Sequence, residues 1–176
     1  MLNNGDTRQI VSETDFNYHN WLNFAFDVLS NGTVYFVYAT GDATESTLTI
    51  KQIASGTETT VFTDTQDLAD LTHLDSGGGA YLGCYEALFY DDNLYMLCPI
   101  QRVDEDSGTY TRSQANAAGL VLFSCDVTAA IPALTVVKKW DFVTHSACNL
   151  IVHDGTVHYI EQPVAATVYR PINKDL

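Results

Sequence analysis

The feature that most constrains this chain is a hairpin pattern that occurs three times at a nearly constant interval. Each copy is an apolar run, a short polar turn and a second apolar run, which is typical of a β-hairpin. The turns are Asn31-Gly32, Asp91-Asp92-Asn93 and Asp154-Gly155, and their first residues are separated by 60 (91 − 31) and 63 (154 − 91) residues. A repeat of this length predicts an array of similar all-β units.

Further strand-like segments follow each hairpin and become more polar along the repeat. The second strands of the first two hairpins are apolar on both faces, which predicts that they lie between two layers. Third strands are predicted at 47–53, 120–127 and 167–171, and fourth strands at 59–63 and 134–142. An antiparallel unit with apolar inner and polar outer strands is typical of a four-stranded propeller blade.

The chain resembles β-propeller repeat proteins over roughly residues 7–172, through hairpins such as His153-Asp154-Gly155-Thr156-Val157-His158-Tyr159-Ile160. The resemblance is one of architecture and points to no particular propeller family. Thr33 and Thr156, for example, are followed by valine where the Asp box of sialidases has tryptophan. The resemblance to β-propeller repeat proteins implies an all-β, β-propeller-like fold of three four-stranded blades.

The two ends of the chain indicate that one blade is incomplete. Residues 9–16 resemble the fourth strand at 135–142, whereas the third repeat stops after its third strand. The chain is therefore predicted to be a single propeller segment, with an outer strand at 7–16, blade 1 at 21–65, blade 2 at 81–142 and an incomplete blade 3 at 147–176. Closed propellers have about 4–8 blades, so we expect a partner: the chain itself, in a six-bladed dimer, or another chain that completes the ring.

The charge of the chain restricts its partners. Asp and Glu number 22 against 8 Lys and Arg, which gives a formal net charge of −14. Such a surface repels nucleic acid and anionic membranes, so neither is an expected partner. The first 20 residues show no secretion signal and no apolar run is long enough for a membrane helix. An extracellular or particle-surface location is compatible with this composition.

Loops and aromatic residues predict a binding function. The segments 66–79 and 102–117 are long connections that are expected on the same face of a propeller, where ligands commonly bind. Tyrosine and tryptophan are suited to stacking on sugars or anchoring a protein, and packing between blades is the alternative role for them. The ligand-binding candidates near the inner strands are Tyr18, Trp21, Tyr81 and Tyr85. The predicted function is a non-enzymatic binding or structural module without a cofactor, which presents the two loops to a protein or glycan.

An enzymatic function is the alternative, and histidines and carboxylates carry it. His19, His73 and His145 each precede an inner strand and could together hold a divalent metal, as in a polysaccharide lyase. Hydrogen bonding to loop backbone is the competing interpretation. A glycosidase would need paired acids, and the inner hairpins contain Asp27, Glu86 and Glu161. The acidic run 104–106 is predicted to be a solvated loop, with calcium binding as the alternative.

The four cysteines do not have the spacing of a zinc site. Cys84 and Cys98 flank the same predicted hairpin, so a cross-strand disulfide is one alternative for them. Buried free thiols are the expected state, because a free cysteine behaves as a small apolar residue.

Overall fold

The twelve strands that the structure describes form three antiparallel sheets, which confirms the predicted all-β class. The structure is a computed structural model, and it describes residues 24–41, 45–67, 80–84, 86–102, 117–141, 145–163 and 172–175. The strands are β1 (Phe24–Val28), β2 (Val34–Gly41), β3 (Glu45–Ala54), β4 (Thr57–Asp67), β5 (Ala80–Leu82), β6 (Glu86–Tyr90), β7 (Asn93–Arg102), β8 (Ala117–Asp126), β9 (Leu134–Asp141), β10 (His145–His153), β11 (Thr156–Pro163) and β12 (Ile172–Asp175).

Each sheet is a meander in which strands that follow one another in sequence lie side by side. Sheet 1 has the order β1-β2-β3-β4, and sheet 3 has the order β10-β11-β12. In sheet 2, β5 and β6 share one edge of β7, which continues to β8 and β9. Most of the predicted strands are present but extend further than expected, as in β4. The third strand of sheet 3 is β12, and the predictions at 167–171 and 7–16 fall outside the described residues.

The predicted hairpin turns are built from residues that tolerate a left-handed backbone. In the first hairpin, the N–H of Gly32 donates to the carbonyl of Leu29 over 2.8 Å and Gly32 has a φ of 82°. Asp91 and Asp92 both have positive φ, as do Asp154 and Gly155. Two successive residues of this kind make the turn whose twist matches that of paired strands. The sequence therefore fixes these turns locally.

Tight turns and longer connections lie at opposite ends of the sheets. Ala80 is paired with Arg102, so the segments 68–79 and 103–116 join sheet 2 at the same end. At the corresponding end of sheet 1, the N–H of Leu82 donates to Ser46 Oγ over 3.3 Å. At the end with the tight turns, a Cβ added to Gly155 would lie 3.7 Å from the hydroxyl of Tyr90. Neighbouring sheets therefore pack with their corresponding ends next to one another.

The core consists of two clusters, one on each side of sheet 2. One cluster joins sheet 1 to the face of sheet 2 that carries Leu94, Met96 and Cys98. The other joins the opposite face, which carries Leu97, to Tyr159 of sheet 3. Alternate residues of β7 therefore point to different neighbours, as the two-residue period of a strand requires. This confirms, for sheet 2, the prediction of a strand between two layers.

The sheets approach one another through their inner strands, since β1 contacts β6 and β6 in turn contacts β10. We call the face of a sheet that contacts the next sheet its forward face, and the face that contacts the previous sheet its rear face. Tyr35 and Val37 lie on the forward face of sheet 1, and Leu97 lies on the forward face of sheet 2. The three sheets thus pack in one consistent sense along the chain.

Candidate functional site

Most of the predicted ligand and metal residues lie outside the part of the chain that the structure describes. Tyr81 is in β5, opposite Gln101, and His145 is the first residue of β10, opposite Pro163. The backbone alone is described at these two positions. The predicted residues outside the described ranges are Tyr18, His19, Trp21, His73 and Tyr85. The convergence of the three histidines on one metal stays a prediction.

Asp27, one of the predicted carboxylates, joins sheet 1 to sheet 2. It lies in β1, and its Oδ2 atom accepts a hydrogen bond of 2.8 Å from the N–H of Phe89 in β6. Its other oxygen accepts a bond of the same length from the N–H of Val28. Among the described strands, β6 is an edge strand. The carboxylate supplies the acceptor that a further strand would otherwise provide for the Phe89 N–H. Both oxygens of Asp27 are therefore engaged in structural contacts.

A stacked aromatic pair stabilises the same junction. The rings of Tyr35 and Phe89 are 5.3 Å apart and inclined by 3°. The hydroxyl of Tyr35 accepts a hydrogen bond of 2.8 Å from Gln52 Nε2, which satisfies the polar end of a buried side chain. The inner edge of this junction is thus closed by packing and hydrogen bonding together.

Glu86 begins β6 and is the second predicted carboxylate at this junction. Partial burial raises the pKa of its carboxyl, and the negative charge of Asp27 raises it further. The two acids thus influence one another across the sheets. Glu161 lies in β11, where only the backbone is described. A glycosidase requires two acids, and of the candidates Asp27 accepts hydrogen bonds from two backbone groups.

The rear face of sheet 1 carries three exposed apolar side chains of β1. Phe26 and Val28 are each 55% exposed, and Phe24 is 48% exposed. The Phe24 and Phe36 rings stack at 5.6 Å. Lys51 Nζ lies 5.6 Å from the centre of the Tyr38 ring and 2.9 Å from Glu58 Oε1. Sequence reasoning missed this surface, because the alternation of Phe24, Phe26 and Val28 with smaller or polar residues marks an apolar face but not whether another sheet covers it.

On the forward face of sheet 3, one exposed apolar side chain lies beside two histidines. Ile151 is 38% exposed and lies opposite His158 on the next strand. The His158 ring is 5.8 Å from that of His153, and its Nε2 atom is 3.3 Å from the carbonyl oxygen of His153. His153 Nε2 also lies 3.4 Å from Asp154 Oδ2. Within the described ranges, no group of three or more His, Cys, Asp or Glu residues could hold a metal ion.

Three of the cysteines are buried free thiols, as the sequence predicts: Cys84, Cys98 and Cys125. Burial raises the pKa of Cys98 strongly, and the neighbouring Cys84 adds to the effect. Burial, together with the charge of Asp126, raises the pKa of Cys125 to about 11. Because the thiolate is the reactive form, these thiols act as packing groups.

The described residues contain no helix that is long and apolar enough to cross a membrane. No protein-family model, curated protein or solved structure matches the chain. The candidate sites therefore rest on the geometry given above.

Proposed function

We propose that this chain is a three-bladed segment of a β-propeller and serves as a non-enzymatic binding or structural module. In this proposal the segments 66–79 and 102–117 present a surface to a protein or glycan partner. The observation that carries it is the consistent packing of three meanders: the rear face of sheet 2 packs on the forward face of sheet 1, and the rear face of sheet 3 packs on the forward face of sheet 2. Inner strands β1, β6 and β10 lie side by side, as the blades of a propeller do around an axis.

The position of the strand ends supports a binding surface at one end. The tight turns take up the opposite end, as at Asp91-Asp92 and Asp154-Gly155. The two long segments leave sheet 2 next to one another, because Ala80 and Arg102 are paired. A rigid scaffold with longer connections at one end is the usual arrangement of a binding site.

The hydrogen bonds of the Asp27 carboxylate favour a structural module over a glycosidase. Its two oxygens accept backbone N–H groups at 2.8 Å, one from its own strand and one from β6 of sheet 2. Asp27 thus has a structural role in joining sheets 1 and 2, and this role accounts for a carboxylate at the inner strands. A divalent metal held by His19, His73 and His145 remains the basis of the alternative, metal-dependent lyase.

Replacement of each long segment tests the proposal. Two variants carry a short Gly-Ser linker in place of 68–79 or of 103–116, and a control replaces Ser55-Gly56 with Asn-Gly at the opposite end. Binding is measured on a glycan array and by cross-linking to a panel of extracellular proteins. We expect at least one segment variant to lose binding while its thermal unfolding is unchanged, and the control to bind normally.

Two results would contradict the proposed function. If both segment variants bind as the native chain does, the segments are not the binding surface. If the native chain cleaves polysaccharide in the presence of Mn²⁺ or Ca²⁺, and the activity disappears when His19, His73 and His145 are replaced by alanine, the lyase is correct and the module is not.

A further inference from the structure

Two buried cysteines lie opposite one another on neighbouring segments of sheet 2. The N–H of Gly83 donates to the carbonyl of Pro99 over 2.8 Å, which continues the antiparallel pairing of β5 with β7 by one residue. The next pair in the same register is Cys84 and Cys98. Both side chains are 0% exposed and belong to the cluster between sheets 1 and 2. The two thiols therefore share one face of the sheet.

This pair is of the kind that a disulfide can bridge without a shift of the backbone. Gly83 and Pro99 occupy a hydrogen-bonded position of the ladder, although proline has no N–H to return the bond. The neighbouring pair, Cys84 and Cys98, therefore occupies a non-hydrogen-bonded position, where Cα atoms are typically about 4.5 Å apart. Disulfides span Cα separations of roughly 4.4–6.8 Å. The backbone is thus already within the range that the bond requires.

The two thiols also contact each other. Cys98 is hydrogen-bonded to Cys84, and the Cys84 thiol donates to the carbonyl of Glu86 over 3.8 Å. The third buried thiol, Cys125, is paired with Leu94, four residues from Cys98 along β7. A strand rises about 3.3 Å per residue, so Cys125 lies roughly 13 Å away, too far for a disulfide to Cys98. Among the described cysteines, the register therefore selects a single pair.

We propose that Cys84 and Cys98 are a redox modification site, at which a low-molecular-weight disulfide such as oxidised glutathione converts the two thiols into a cross-strand disulfide. One cysteine, as the thiolate, attacks a sulfur of the glutathione disulfide and releases one glutathione thiolate, which takes up a proton. The second cysteine thiolate then attacks the protein-bound sulfur, forms the Cys84–Cys98 bond and releases the second glutathione. Two protein thiols are oxidised and one small disulfide is reduced to two thiols.

The bond is expected to form while the chain folds. In the folded chain both thiols are inaccessible to an oxidant, and burial raises the pKa of Cys98, which makes its reactive thiolate scarce. In the unfolded chain both thiols are accessible and have an ordinary pKa of about 8.5. Once sheet 1 has packed on sheet 2, the same burial shields the disulfide from reductants. The pair thus retains the redox state in which the chain folded, and this does not depend on the proposed binding function.

The test refolds the chain from denaturant either in a mixture of oxidised and reduced glutathione or in a reductant alone. Thiols are counted after unfolding, and linked peptides are identified by mass spectrometry without reduction. With glutathione, we expect the count to fall from four to two and one peptide pair to join Cys84 to Cys98. The midpoint of thermal unfolding should rise by roughly 5–10 °C, because the bond closes a loop of about 15 residues. Chain that has already folded in reductant should oxidise at least about tenfold more slowly in the same mixture.

A matched pair of variants separates the site from cysteine content in general. Cys98→Ala should abolish the link and leave all three remaining thiols free. Cys125→Ala also removes a buried thiol of sheet 2, but it should form the link, so that its count falls from three to one. The peptide map of the native chain decides the point even if a variant folds poorly.

Three outcomes would overturn the proposal. Four free thiols after refolding with glutathione, or cysteines that carry only bound glutathione, would show that the two sulfurs do not meet. A link through Cys125 or Cys148 would show that the register does not select the pair. A Cys84–Cys98 bond that lowers the unfolding midpoint would show that the strands must move to accommodate it. The loop-replacement binding test is independent of all three.

Discussion

Sheets 1 and 2 have the same strand order and similar hairpins, but they differ in what covers their rear faces. On the rear face of sheet 2, Met96 and Cys98 are fully buried against sheet 1. On the rear face of sheet 1, Phe26 is more than half exposed. The side chains are apolar in both sheets, so the difference lies in the neighbour and not in the strand. Among the described sheets, sheet 2 packs between two others, whereas sheet 1 packs on sheet 2 through its forward face.

The largest loss of stability should come from a substitution in the buried interface between sheets 1 and 2. Phe123 is fully buried between sheets 1 and 2, and Phe123→Ala should reduce the free energy of unfolding by about 3–5 kcal/mol through lost burial and a cavity. Phe26→Ala should cost less than about 1 kcal/mol, because its side chain is 55% exposed. Denaturant unfolding measures both, and equal losses would show that the two faces are equivalently covered.

Removal of the carboxylate that joins the sheets should have the next largest effect. Asp27→Ala leaves the Phe89 N–H without its acceptor, which should cost about 1–3 kcal/mol. Asp64→Ala is a matched control, since Asp64 is exposed and the described hydrogen bonds of its carboxylate come from Thr65 and Gln66 of its own strand. Thermal unfolding of both variants decides the point: a similar, small loss in both would mean that the contact between sheets contributes nothing.

Substitutions in the turns of sheets 2 and 3 should change the free energy of unfolding in opposite directions. Asp92 has a φ of 64°, and Asp92→Gly should raise the free energy of unfolding by a few tenths of a kcal/mol up to about 1, because glycine adopts this conformation at no steric cost. Gly155 has a φ of 75°, and Gly155→Ala should lower it by about 1 kcal/mol or more. Calorimetry on both variants checks the signs; changes of the same sign would contradict the turn assignment.

The smallest effect is the dependence of stability on the charge of Glu86. Its pKa is raised in the folded chain above the ordinary value of 4.5, so folding favours its neutral form. Relative to the unfolded chain, this favourable contribution is present below pH 4.5 and is lost as the pH rises through the raised pKa. Glu86→Gln should therefore be more stable than the native chain at pH 7, and the gap should close as the pH falls towards 4.

The pH dependence of stability that Asp126 contributes should have the opposite sign to that of Glu86. Hydrogen bonds from the hydroxyl and N–H of Thr128, with a smaller contribution from the N–H of Ala129, lower the pKa of its carboxyl below 3.8. Its stabilising contribution is present above pH 3.8 and is lost as the pH falls through the lowered pKa. Asp126→Asn should be less stable than the native chain at pH 7, with the gap closing in acid. Unfolding measured from pH 3 to 7 tests both, and parallel curves would contradict the assigned shifts.

The hairpins, strands and all-β class could be predicted because their causes are local. Turn residues such as Asp154-Gly155 adopt a left-handed backbone by themselves, and alternating apolar residues mark a strand regardless of its neighbours. Exact strand limits were less predictable, as β4 extends to Asp67 and is longer than expected. Pairing with a neighbouring strand decides how far an extended segment continues.

The candidate site was predictable only in part. Asp27 and Glu86 could be selected as carboxylates in inner hairpins, but their meeting across two sheets could not, since 59 residues (86 − 27) separate them in the chain. The exposed rear face of sheet 1 was missed because Phe24 and Phe26 have the composition of a buried strand. Exposure depends on whether a second sheet is present, which the strand sequence does not specify.

The sequence by itself determined three repeated hairpins, their turn conformations and the two apolar faces of the second strands in the first two hairpins, because backbone sterics and a two-residue period act within a few residues. Only the tertiary structure decided which face meets which sheet, since that depends on contacts between distant segments. It placed Leu97 against sheet 3 and Met96 against sheet 1, engaged Asp27 with Phe89, and left Phe26 exposed at the end of the array.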